Sequence, residues 1–131
     1  MLKEYRNGIC QRSIHAEYAA MKDQDKIVYL KKPEFTVFDQ ANTPKSILTA
    51  EKSQINLKNN LIEITGNILL KLQNNTQFKT STLFWDISKK KFYTNTTVTI
   101  IKDKHLIQGD NFEADEYFNQ IQVGRFSAKS N

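Results

Sequence analysis

One unit of about thirty residues recurs along the chain, and it limits the possible folds more than any other feature. Laying residues 50–70 over 80–100, an offset of 30, sets Ile55 on Trp85, Asn56 on Asp86 and Leu57 on Ile87. In the same register Asn59 and Asn60 fall on Lys89 and Lys90, and Ile68 and Leu70 on Val98 and Ile100. A further copy, offset by 29, sets Gly109 on Thr80, Phe112 on Leu83, Asp115 on Asp86 and Ile121 on Phe92. A weaker copy near the start sets Ala16, Met21 and Leu30 on Ala50, Ile55 and Ile64. Chance accounts for one such match far more easily than for three in one register. A unit this short cannot bury its apolar face alone, so neighbouring copies must stack into a continuous core.

Within the units the hydrophobic period is two. Lys26-Ile27-Val28-Tyr29-Leu30, Phe35-Thr36-Val37-Phe38, Leu61-Ile62-Glu63-Ile64 and Thr97-Val98-Thr99-Ile100 are rich in β-branched and aromatic residues. Polar corners such as Lys58-Asn59-Asn60, Asn74-Asn75 and Ser88-Lys89-Lys90-Lys91 separate such runs, as expected of short strands joined by turns. Residues 13–22 fit either a short amphipathic helix or an edge strand. The prevailing period favours a strand, with Ile14, Ala16, Tyr18 and Ala20 on one face. The expectation is an all-β chain, an elongated stack of about four strand-turn-strand units. Asn56, Asp86 and Asp115 each precede a polar tip, where a short side-chain oxygen accepts backbone N–H groups and fixes the turn. Gly66 and Gly109 fall at strand breaks, where a bulge favours a residue without Cβ.

At 131 residues the chain fits one domain, read as residues 13–126 between a flexible segment 1–12 and a flexible tail 127–131. No apolar run approaches the roughly 18–20 residues that span a bilayer, and the start lacks the apolar stretch of a signal peptide. Cys10 is the only cysteine, which excludes an internal disulfide and reads as a free, partly buried thiol. The formal charge of +5 is spread along the chain and tolerates an acidic partner without demanding one. The two histidines, His15 and His105, lie far apart, and no nucleophile elbow, phosphate loop or metal-ligand spacing is present. Glu113, Asp115 and Glu116 cluster loosely, but alternation sends neighbours to opposite faces. Neither an enzyme nor a metal or cofactor is expected. Phe92 and Tyr93 beside Lys89, Lys90 and Lys91 are the best candidates for base stacking, but the lysines occupy a tip and no nucleic-acid partner is expected.

Thr65-Gly66-Asn67-Ile68, Thr82-Leu83-Phe84-Trp85-Asp86, Thr97-Val98-Thr99-Ile100 and Ile107-Gln108-Gly109-Asp110-Asn111-Phe112 resemble the motif succession of the lipopolysaccharide-export family. The resemblance is nearest to its inner-membrane-anchored LptC component, with the soluble LptA-like bridge second. It implies a slightly twisted β-jellyroll of two facing antiparallel sheets, open along one side. It also implies a periplasmic conduit that passes lipopolysaccharide, or a related glycolipid, from the inner-membrane ABC export complex to an LptA-like bridge protein. Gly66, Gly109 and Asp86 match family positions, none of them catalytic. The implied anchor is absent from this sequence, so tethering to the inner membrane would come from a segment outside it.

Facing sheets about 10 Å apart can admit acyl chains if one side stays open. By alternation the inner face comprises Phe35, Val37, Ile55, Leu57, Ile64, Ile68 and Leu70. Trp85, Ile87, Val98, Ile100, Phe112 and Ile121 complete it. Basic residues such as Lys71 and Lys102 are placed near the rim. The edge at Gln120, Ile121, Gln122 and Val123 is the candidate partner-docking strand, by β-augmentation. The same inner residues equally suit a closed core in an adaptor that binds no lipid.

Overall fold

The computed structural model describes residues 2–6, 9–22 and 24–130, with side chains described within 12–22 and 24–124. These residues form β1 (Leu2–Arg6), β2 (Ile9–His15), β3 (Tyr18–Lys22), β4 (Ile27–Lys31), β5 (Glu34–Phe38), β6 (Pro44–Thr49) and β7 (Lys52–Asn56). They continue with β8 (Leu61–Leu72), β9 (Gln77–Asp86), β10 (Lys91–Thr94), β11 (Val98–Lys102), β12 (His105–Asp115) and β13 (Ile121–Ser130). Every pairing is antiparallel, and together they make one hydrogen-bonded network folded into two facing layers. The first layer runs β1-β2-β5-β6-β8-β9-β11-β12-β13. The second runs β3-β4-β7-β8-β9-β10-β12-β13. The chain is an elongated all-β jellyroll.

The longer strands belong to both layers, which requires them to bend. In β8 the bend falls at Gly66 (φ 89°) and Asn67 (φ 44°), where the pairing with β9 slips between Thr65 and Ile68. A Cβ at position 66 would press on the Glu51 side chain, so both the backbone conformation and the space call for glycine. Gly109 is extended opposite Val98, at the irregularity between Gln108 and Asp110 in the β12–β13 register.

Alternation places one apolar row on each inner face. In the first layer Ile14, Phe35, Leu48, Leu70, Phe78, Ile100 and Ile107 stand side by side across seven strands. In the second, Val28, Ile55, Ile62, Trp85, Phe92 and Ala114 do the same. Phe35 meets Trp85 edge-on across the gap at 5.8 Å, and Phe78 meets Phe112 at 5.4 Å. Burial of these rows is what drives the layers together, because neither face is stable against water alone.

Residues 13–22 do not form one continuous strand. The chain leaves the first layer after His15, and Glu17 N–H donates to Lys31 O at 3.0 Å as β3 joins the second layer. The crossing resets the alternation, so Ile14 and Ala16 face inward while Tyr18 is 62% exposed. Strand pairing also reaches into both segments expected to be flexible, with β1 and β2 before residue 13 and β13 running to Ser130. The side chain of Cys10 lies outside the described residues.

Candidate functional site

The tips of the repeats form a ladder along one open side of the jellyroll, here called the seam. Leu57 N–H donates to Lys26 O at 2.9 Å, Ile87 N–H to Asn60 O at 3.0 Å, and Glu116 N–H to Lys90 O at 3.0 Å. All three accepting residues have φ of 55°. Each tip is pinned by the side chain before it: Asn56 Oδ1 accepts from Lys58 N–H at 3.0 Å and Asp86 Oδ1 from Lys89 N–H at 3.1 Å. Asp115 Oδ1 accepts from Gln120 N–H at 2.8 Å. Leu57, Ile87 and Glu116 therefore occupy equivalent positions in one row along the seam.

Behind Leu57 and Ile87 the layers do not meet, and a cavity of about 360 Å³ opens between them. Arg12 and Ile14 of β2 form one wall, Ala16 and Ala19 the end, and Val28, Ile55, Ile62 and Trp85 the other wall. This volume falls in the range of small-molecule sites, and the lining is almost wholly apolar. Two larger hollows, of about 570 and 660 Å³, are lined mainly by polar residues such as Lys52 and Glu63 in one and Lys79 and Thr97 in the other.

At its inner end the cavity stops at an ion pair. Arg12 Nη2 donates to both oxygens of Glu116, at 2.6 and 2.9 Å, and the Trp85 indole N–H donates to Glu116 Oε2 at 3.0 Å. Glu116 is 1% exposed, and Arg12 lies with its guanidinium 6.0 Å from the centre of the Trp85 ring. Beyond this pair, Phe118 from the same turn stacks on Phe92 at 5.2 Å and touches Phe78 at 5.7 Å, bridging the two layers. The seam is closed there.

The inner-face candidates thus divide into three groups. Ile55, Leu57, Trp85 and Ile87 line the cavity. Phe35, Val37, Ile64, Ile68, Leu70, Val98, Ile100 and Phe112 are buried in the closed core and do not line it. Ile121 stands at the end of the second-layer row, beside Ala114, and is 39% exposed. Lys71 and Lys102 are exposed and away from the lining. Gln120 lies in the turn, whereas Ile121, Gln122 and Val123 belong to β13, which among the described residues pairs with β12 alone. Arg12 and Glu116 are the residues that repeat-based reasoning missed. The one available signal was a charged residue falling on Ile87 in the 29-residue register.

Among the described residues no group of His, Cys, Asp and Glu could hold a metal ion. The fold and cavity define an antiparallel all-β jellyroll with an apolar cavity between its layers. The family described as "Lipopolysaccharide-assembly, LptC-related" matches residues 3–123, and the chain belongs to it. Among solved structures, LptH of Pseudomonas aeruginosa, described as the LptA homologous periplasmic component of the lipopolysaccharide transport device, aligns with a TM-score of 0.68. That match covers 92% of this chain and 94% of the other at 11% identity, a likeness of fold. No curated protein matches the sequence.

Proposed function

We propose that this chain is a lipid-conduit module of periplasmic lipopolysaccharide transport. It holds acyl chains in the seam cavity and passes them to neighbouring jellyrolls docked at its strand edges. The observation that carries this reading is the apolar cavity of about 360 Å³ between layers that are otherwise closely packed. At about 0.8 kcal/mol per buried methylene, a dozen give about 9 kcal/mol before ordering costs, enough to hold a chain without a polar anchor. Passage onward needs comparable affinity in the next module, so the driving energy comes from an ATPase elsewhere.

Two placements fit such a module. A bridge-type role, like that of LptA, is supported by the likeness to LptH and by terminal strands at both ends: β1 and β3 at one, β13 at the other. The LptC-related match supports instead the first module, which receives lipopolysaccharide from the inner-membrane ABC exporter and delivers it through β13 to a bridge protein. In that placement a segment outside this sequence tethers the chain to the inner membrane.

A photo-crosslinking residue placed in turn at Ile55, Leu57 and Ile87, with the chain incubated in lipopolysaccharide, tests the reading. Adducts are expected at these three and not at Ile64, which is 0% exposed in the closed core. No adduct at any of the three overturns the conduit and leaves an adaptor that docks by its edges alone. Proline at Gln122 in β13 should abolish docking on either reading, because it removes a ladder donor.

A further inference from the structure

The apolar row along the seam breaks at a single position. Leu57 and Ile87 open onto the cavity, while the third member of the row, Glu116, is charged and turned inward. A carboxylate in this position is tolerated only with a matching partner, and Arg12 reaches across from the opposite layer to supply it. Two residues further, Phe118 has φ of 58°, a left-handed conformation that bulky side chains rarely adopt. Its ring is nevertheless buried, wedged between Phe92 of one layer and Phe78 of the other. The turn is also held from outside, where Lys45 Nζ lies 3.3 Å from Asn119 Oδ1 and 5.7 Å from the centre of the Tyr117 ring.

We propose that the 116–120 turn is a built-in plug that limits the length of acyl chain the cavity accepts, with Phe118 as the stopper and Arg12–Glu116 as the latch. The proposal rests on the acyl-chain reading of the cavity. Trp85 ties the two together, since its ring walls the cavity while its N–H holds the latch. The strained backbone at Phe118 shows that the ring is placed there by its surroundings rather than by local preference. Phe118 backs a run of rings that starts at the cavity wall, Trp85 stacking on Phe92 at 4.8 Å and Phe92 on Phe118 at 5.2 Å. Loss of the Phe118 ring therefore frees Phe92 to swing away from Trp85 and lengthen the cavity.

Trp85 is the only tryptophan, so its quenching by bromine-labelled fatty acids reports chain binding. With chains from about eight to about eighteen carbons, wild-type affinity should rise about fourfold per methylene, then level off at the length the closed end permits. Phe118→Gly removes the stopper and relieves the backbone. The double variant Arg12→Met with Glu116→Leu dissolves the latch by removing both of its charges. Either should move the levelling point several carbons longer, and having two routes guards against one variant failing to fold. Quenching with one common limit in wild type and folded variants overturns the plug alone. Quenching by no chain at all overturns the cavity reading, and the plug with it.

Discussion

The two ends of the seam are built on the same repeat, yet one is open and the other shut. At the open end the row carries Leu57, 47% exposed, and Ile87, and the layers stand apart around the cavity. At the closed end the same row carries Glu116, with Phe118 behind it, and the interior is a continuous run of rings from Trp85 through Phe92, Phe118 and Phe78 to Phe112. The backbone contact of the tip is the same in both, at 2.9–3.0 Å. The repeat therefore sets where the chain goes, and the side chains at one row set whether the interior is passage or core. In a stacked fold each unit can be changed locally without disturbing the next.

The largest effect should come from emptying the closed end. Phe92→Ala removes a ring that is 1% exposed and stacked on two others, and should cost about 4 kcal/mol in urea unfolding. Ile55→Ala at the cavity wall, where space already exists, should cost about 2 kcal/mol or less. Equal costs would remove the distinction between passage and core. Next, Glu116→Ala removes a buried carboxylate that accepts from both Arg12 Nη2 and the Trp85 indole N–H. The expected loss is about 3 kcal/mol. Arg12→Met with Glu116→Leu should recover only part of it, since apolar replacement of a buried pair is often neutral but the Trp85 N–H loses its acceptor. Leu57→Ala, its counterpart in the row, should stay within about 0.5 kcal/mol.

Much of this was legible in the chain, and the reasons for the rest are physical. Parity places Phe35, Ile64, Leu70 and Trp85 inside because strand alternation is a local property, visible in a few residues. The tip residues Asn56, Asp86 and Asp115 bond to the backbone within five positions, so their turns could also be read locally. The change of layer after His15 was hidden, because a strand that switches sheets keeps its polarity pattern while reversing its faces. The latch joins residues 104 apart, which no local pattern encodes. Nor does parity reveal which inner residues meet open space: Ile55 and Ile64 look alike in sequence, and only the opposite layer separates them.

A smaller effect belongs to the bend that lets β8 serve both layers. Gly66→Ala forces a side chain into a left-handed backbone and against Glu51, whose Oε1 accepts from Asn67 Nδ2 at 2.6 Å. A loss of about 1–2 kcal/mol is expected by thermal or urea unfolding. A neutral result would mean that the bend can relax, and that the two layers are less rigidly coupled than the register implies.

The smallest effect sharpens the contrast between a latch and an ordinary surface pair. Lys91 Nζ lies 2.6 Å from Glu113 Oε1 on the outer face, where both side chains are well exposed. The hydrogen bond to Glu113, then its charge, raises the Lys91 pKa above 10.5. A raised lysine favours folding below its unfolded value, and that contribution is lost as pH rises through the folded one. Unfolding measured against pH should therefore show a slight extra loss of stability in the wild type above about pH 10.5, absent in Glu113→Gln. Added salt should erase the same difference at neutral pH, because exposed charges are screened. The Arg12–Glu116 latch should do neither. A guanidinium keeps its proton through this range, and a buried pair is little screened. A Glu116→Gln deficit that faded with salt would make the latch a surface pair like the other, and the closed end would lose its distinguishing feature.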